Sequence, residues 1–167
     1  MADEKPAFIL RPHRTGDMGW VIHRQAVAYA REYGWNSDFE MLVARIAADF
    51  LANFNPEREH CWMAESPEGL QLGHIFLVQH PEEPETAKLR LLLVEPEARG
   101  MGLGKMLVAE CIGFARKVGY TRITLWTQSM LTPATRIYQA AGFQLVAEEP
   151  HHSFGAELVG QTWTLEL

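Results

Sequence analysis

The 167-residue sequence predicts a mixed α/β domain, a central sheet with helices on both faces. Three observations predict it. Strand-like and helix-like segments follow one another in the order β-α-α-β-β-β-α-β-α-β-β. Leu91 to Val94 is a continuous apolar run, the pattern of a central strand covered on both sides. The last segment, Val159 to Leu167, instead alternates, with Val159, Trp163, Leu165 and Leu167 on one side and Thr162, Thr164 and Glu166 on the other.

The elements follow in order. Phe8 to Arg11 reads as a first strand stopped by Pro12, and Gly16 to Tyr33 carries helical spacing through Val21, Ile22, Ala26 and Tyr29. Asp38 to Phe54 is a second helix, with Leu42, Ile46 and Phe50 on one face and Pro56 closing it. Cys61 to Glu65 and Leu72 to Gln79 form a hairpin around Ser66-Pro67-Glu68-Gly69. After a Pro/Glu-rich loop from His80 to Glu85 comes the strand Lys88 to Glu95. A helix from Leu103 to Val118 buries Leu107, Val108, Cys111, Ile112 and Ala115 and stops at Gly119. Thr121 to Thr127 is a strand, Thr132-Pro133 opens a short helix to about Ala141, and Phe143 to Glu148 is the penultimate strand.

With 47% hydrophobic and 22% charged residues the composition is that of an ordinary globular domain, and a chain of this length buries about two-thirds of its unfolded surface. Cys61 and Cys111 are too few for a disulfide framework and fall in apolar patterns, where cysteine behaves as a small buried hydrophobe. The net charge of -6 argues against nucleic acid or an anionic membrane as partner. Met1 to Pro6 is polar and leads straight into a strand, without the apolar stretch of an export signal, so the cytoplasm is the expected compartment. The seven histidines show no zinc-ligand spacing, and no metal is expected.

The chemistry concentrates in Arg99-Gly100-Met101-Gly102-Leu103-Gly104, between a buried strand and an amphipathic helix. Glycines let backbone N–H groups converge on an anion, and the helix behind them adds its unpaired N–H groups and positive dipole end. A pyrophosphate fits such a turn, with Arg99 and Lys105 adding charge. A P-loop is excluded because Gly104-Lys105 is followed by Met106 rather than Ser or Thr. A dinucleotide fingerprint needs G-x-G-x-x-G, and this turn is G-x-G-x-G.

Coenzyme A is the third reading. Val94 to Gly104 resembles the acetyl-CoA-binding motif of GNAT acyltransferases, in which a strand ending in V-x-P is followed by R/Q-x-x-G-x-G/A. Tyr138-Gln139-Ala140-Ala141-Gly142-Phe143 is similar to the second family hallmark, Y-x-x-x-G-F. Gly19 to Trp35 and His151 to Thr164 also resemble the acyltransferase half of bacterial proteins that carry a MarR-type regulator. The resemblance implies a GNAT fold with a mixed, mostly antiparallel twisted sheet. It implies one acyltransferase domain over residues 7–167 behind a disordered tail over 1–6. It further implies an N-acetyltransferase using acetyl-CoA, with a small-molecule or peptide amine as partner and a homodimer as an open option. The rival reading is a non-catalytic module that senses acyl-CoA or a metabolite. Where many members carry an asparagine before the tyrosine, this chain has Leu131, and Gln128 and Ser129 are the nearby substitutes.

By this resemblance the backbone of Leu92, Leu93 and Val94 binds the pantetheine arm, and Arg99, Gly100, Met101, Gly102, Leu103, Gly104 and Lys105 hold the pyrophosphate. Tyr138 has two readings: a core aromatic on the face of Ala134, Ile137 and Ala141, or a general acid for the departing thiolate. A base is also expected, because an alkyl ammonium with a pKa of about 10 cannot attack a carbonyl. Glu95, His151 and His152 are the candidates, the histidines being placed in a loop between the last two strands. Tyr33, Trp35, His151 and His152 are expected at the acceptor site, Trp35 having the alternative role of sealing the helix pair. Lys88 and Arg90 share one strand face and suit either an acidic substrate or an exposed strand start.

Overall fold

The computed structural model describes residues 7–167, so the tail expected over 1–6 lies outside the described residues. The elements run β1 (Ile9–Pro12), α1 (Asp17–Tyr33), α2 (Ser37–Asn53), β2 (His60–Glu65), β3 (Gln71–Gln79), β4 (Thr86–Val94), a 3₁₀ turn (Pro96–Ala98), α3 (Leu103–Val118), β5 (Arg122–Gln128), α4 (Thr132–Ala140), β6 (Gln144–Ser153) and β7 (Ala156–Glu166). This is the predicted order. The strands form one 7-stranded sheet ordered β1-β2-β3-β4-β5-β7-β6, antiparallel throughout except where β4 meets β5.

Each face buries its own apolar cluster. α3 and α4 supply Leu107, Val108, Cys111 and Tyr138 against Leu77, Leu89, Ile123 and Trp163, while α1 and α2 supply Val21, Val43 and Phe50 against Cys61, Met63 and Phe76. The start of α1 is fixed by charge. Asp17 accepts the Arg14 backbone N–H at 2.8 Å and both terminal nitrogens of Arg11 at 2.7 and 3.0 Å, and Arg11 also donates to Glu65 on β2 at 3.0 Å. Gly34, at φ 72°, ends α1, and Asn36 caps α2 by accepting the Asp38 N–H at 3.0 Å.

The parallel junction is short. β4 and β5 pair only through Thr86–Lys88 and Arg122–Thr124, although both strands continue well beyond. Past Lys88, β4 carries a bulge against β3: Phe76 opposes Arg90 and His74 opposes Leu93, leaving Ile75 to face both Leu91 and Leu92. Leu91 takes the left-handed conformation, φ 54°, to make it. The bulge reverses the strand's parity. Before it Ala87 and Leu89 face α3; after it Leu92 and Val94 do, while Leu91 packs among the residues of α1 and α2.

Three expectations are corrected. β6 runs to Ser153 rather than Glu148, so His151 and His152 are strand residues paired with Leu158 and Glu157, not loop residues. The connection is a two-residue turn, Phe154 and Gly155, at φ 59° and 79°. β6 is the sheet's last strand and mostly exposed, so it shows no apolar alternation, and Pro150 is tolerated at such an edge. For the same reason Pro12 is the last residue of β1 and not its stop. Val159 does share a face with Trp163, yet it stays 36% exposed because α3 and α4 cover only the later part of β7.

His74 on β3 is fully buried between the Gln25 amide, 3.1 Å from its Nε2, and an Nδ1 with no partner. Burial pushes its pKa down to about 3. The unfolded chain takes up this proton below about pH 6.5, whereas the folded chain does not until near 3, so stability falls as pH drops through that window. Between pH 7 and 5 the cost is about 2 kcal/mol. Urea unfolding at those two pH values should show His74→Gln losing about 2 kcal/mol less than the wild type, and equal losses would show that His74 is not the acid-sensitive group.

Candidate functional site

Beyond β4 the chain turns through Arg99 to Gly102 into α3. Gly100 and Gly102 hold φ 77° and 81°, and a Cβ on either would meet nothing within 4 Å. Their freedom serves the backbone conformation, and they leave open space before the first turn of α3. Gly104 serves packing instead: a Cβ there would come 2.8 Å from Cδ1 of Ile137, so its absence lets α3 approach α4.

The turn borders a cavity of about 520 Å³, walled by Leu92, Leu93 and Val94 of β4, by Arg99, Gly100, Gly102, Leu103, Gly104 and Lys105, by Tyr29, Glu32 and Tyr33 of α1, and by Leu131, Pro133, Ala134 and Ile137. Met101 is the exception among the expected residues. Its side chain is 55% exposed and forms no part of the wall. Arg99 is ion-paired with Glu32 across the cavity mouth. The pairing places one anion beside the turn's cation, a partner that sequence spacing did not indicate.

A second cavity, about 350 Å³, occupies the gap where β4 and β5 part, and it shares Tyr29, Leu92, Leu131 and Ala134 with the first. It passes through the sheet. Tyr138 reaches it from α4, Trp126, Thr127 and Gln128 from β5, and Trp35, Phe39 and Leu42 from the opposite layer. Tyr138 is thus a core aromatic that also borders a cavity. It is only 4% exposed and packs 5.8 Å from Phe143, yet it borders the cavity. Burial holds its phenol well above the ordinary pKa of tyrosine, so the hydroxyl keeps its proton.

The other expected residues divide. Trp35 is buried, stacks on Tyr29 at 4.9 Å and touches Phe154 at 4.9 Å, so it both seals the helix pair and lines the second cavity. Tyr33 borders the first cavity. His151 is half-buried with both ring nitrogens engaged, Nε2 with Gln128 Oε1 and Nδ1 with Ser153 Oγ, each at 2.8 Å. His152 points away: it is exposed and paired with Glu157 at 2.6 Å. Glu95 is corrected as well. Expected as a candidate base, it is buried, its carboxylate held bidentate by Arg24 at 2.6 and 2.8 Å, and it lines neither cavity.

Residues 20–143 match the profile of the Acetyltransferase (GNAT) family. The chain belongs to that family. It is accordingly an acyltransferase with the GNAT fold, the mixed sheet and two helical layers being that family's architecture. An uncharacterized N-acetyltransferase of Schizosaccharomyces pombe is 31% identical over 125 residues, 74% of either chain. Mycothiol acetyltransferase of Arthrobacter sp. is 32% identical over 140 residues, 82% of this chain and 41% of the relative. Human N-acetyltransferase 8 is 30% identical over 115 residues, 66% of this chain and 50% of the relative. The chain thus spans half or less of the last two. These relatives come from yeast, bacteria and human and do not place the chain with the regulator-fused bacterial proteins. Among solved structures, an acetyltransferase of Salmonella typhimurium determined with acetyl-CoA superposes with a TM-score of 0.77 at 20% identity, covering 96% of this chain and 94% of that one. Ribosomal-protein-alanine N-acetyltransferase of Brucella melitensis gives 0.77 at 21%, covering 95% and 99%.

For this GNAT domain, the ion pair makes Glu95 a positioning residue that fixes α1 to the foot of the glycine turn. Glu95→Gln should lower stability by about 3 kcal/mol, as expected when one partner of a buried pair is removed, without shifting the acidic limb of the kcat pH profile. A lost or displaced acidic limb with unchanged stability would restore Glu95 as the base.

Proposed function

We propose that residues 7–167 act as one N-acetyltransferase domain, moving an acetyl group from acetyl-CoA to a primary amine of a small molecule or peptide by direct attack, with Tyr138 as general acid. The observation that carries this reading is the adjacency of the two cavities across shared walls: the glycine turn borders the first, Tyr138 borders the second, and Leu92 on the freed edge of β4 borders both. The pyrophosphate would meet the N–H groups of the turn and the N-terminus of α3, with Lys105 beside it. The pantetheine arm would lie along Leu92 to Val94, whose edge toward β5 has no strand partner, and pair with it as an added strand does.

In the reaction the amine nitrogen bonds to the thioester carbonyl carbon and the carbon–sulfur bond breaks. The electron pair goes to sulfur, which takes the Tyr138 proton. The nitrogen loses its extra proton to water, and the phenol is reprotonated from solvent. Burial keeps the phenol protonated, so its proton is in place as charge develops on the sulfur. Because the thiol's pKa of about 8 to 9 lies below the phenol's, the transfer is uphill by itself and is carried forward by breaking of the carbon–sulfur bond and reprotonation of the phenol. His151 has both nitrogens engaged, and Glu95 is paired with Arg24, so neither supplies a free base in the cavity. Attack by the fraction of amine already unprotonated then governs the acidic limb, and kcat/KM should rise toward the acceptor's own pKa.

Two measurements test the reading. Acetyl-CoA should raise the melting temperature by mass action, and Gly102→Glu should abolish the shift by placing bulk and negative charge where the pyrophosphate approaches. A full shift in that variant would put the cofactor elsewhere. Tyr138→Phe keeps the ring and its packing, so kcat should fall about 100-fold while the acetyl-CoA shift and the melting temperature barely move. Retention of more than about a third of kcat, with chemistry rate-limiting, would remove the general-acid assignment.

A further inference from the structure

Lys88 and Arg90 lie on the α2 side of β4, half-buried, and both border the cavity that Tyr138 reaches. They also floor a third cavity of about 610 Å³ between α2 and strands β3 and β4, with Ile46 common to both spaces. Among the described residues neither cation is in an ion pair or a side-chain hydrogen bond. The acids nearby do not answer them. Asp49 on α2 is exposed and attracts Arg90 from beyond ion-pair distance, while the Glu59 oxygens accept the Asn55 and Gln79 backbone N–H groups at 3.0 Å each. His80 is turned aside, its Nδ1 accepting the Glu82 and Glu83 N–H groups at 3.1 Å. Burial lowers the pKa of both cations; the Arg90 charge lowers that of Lys88 further, and Asp49 only partly offsets the burial of Arg90.

Two adjacent, partly desolvated positive charges without a counterion in contact are unfavourable by themselves and become favourable when an anion joins them. The cavity that the cations share with Tyr138 has a largely apolar wall, including Leu42, Ile46 and Leu91, with Gln25, Thr127 and Gln128 among its other polar side chains. We propose that the acceptor is an amine that also carries an anionic group, carboxylate or phosphate, which Lys88 and Arg90 bind while an apolar spacer lets the amine reach the opened edge of β4 beside Tyr138. This inference rests on the acetyltransferase reading and names the substrate class of the same site.

Three acceptors test it in assays of thiol release from acetyl-CoA: aminocaproate, phosphoethanolamine, and hexylamine as the control without an anion. Wild-type kcat/KM should be at least about tenfold higher for one of the anionic acceptors than for hexylamine, an advantage that added salt reduces. Which anionic acceptor leads distinguishes carboxylate from phosphate. In Arg90→Gln the ratio of anionic acceptor to hexylamine should fall at least about tenfold, chiefly through KM, and Arg90→Lys should restore part of it. Lys88→Gln should lower the ratio in the same direction, which keeps the test decisive if Arg90→Gln does not fold. Hexylamine serving as well as both anionic acceptors, or an equal loss on all three in the variants, would overturn the proposal. If no amine releases thiol, the acetyltransferase reading fails separately. The anion site then stands or falls on whether aminocaproate or phosphoethanolamine raises the wild-type melting temperature and loses that effect in Arg90→Gln.

Discussion

The parting of β4 from β5 is the constraint on which the rest of the molecule depends. A parallel pair that stayed in register to the end of β5 would close the sheet and leave the two helical layers without communication. Here the pair ends at Lys88, and the bulge at Leu91 turns the remaining strand aside. A leucine in the left-handed region costs about 1 to 2 kcal/mol, so the surrounding packing has to hold it there. Leu91 is held in the α1 and α2 cluster, and its neighbour Leu92 in the opposite one. The strained residue and its neighbour are thus anchored in opposite cores.

The elements around the gap are fastened so that the opening keeps its shape. Arg24 fixes α1 to Glu95 directly after β4, and Arg11 and Asp17 fix the start of α1 to β1 and β2. Gly73 allows β3 to pass the end of β4 closely, since a Cβ there would come 2.5 Å from the Leu93 carbonyl oxygen. On the far side the Trp35 turn meets the β6–β7 hairpin, where the Asn36 N–H donates to Phe154 O at 3.0 Å. Rigid elements of this kind position a reacting group better than mobile loops do.

Much of this was legible in the sequence because periodicity and glycine placement are local. The element order, the stop of α3 at Gly119 and the part of the first cavity's wall that β4 and the glycine turn supply follow from patterns spanning a few turns or strands, whereas the wall that α1 and α4 supply does not. What escaped was set by distant partners. Nothing in Leu-Arg-Leu-Leu-Leu-Val marks Leu91 for a bulge, since no glycine stands there. Glu95 reads as a candidate base because nothing local marks its partner Arg24, 71 residues away in sequence. β6 was read too short because an exposed edge strand has no apolar rhythm to extend. Met101 matched a motif position whose side chain the fold turns outward.

The prolines that obscured the strand limits have a use of their own. Each outermost strand carries one, Pro12 on β1 and Pro150 on β6, and beside Pro150 stand the exposed carboxylates of Glu148 and Glu149. A proline offers no N–H, and repelling carboxylates along one margin discourage a like strand from approaching. A sheet that parts at its center is therefore guarded at its margins against recruiting further strands, and stray β-pairing between copies is disfavoured at both ends of the ladder.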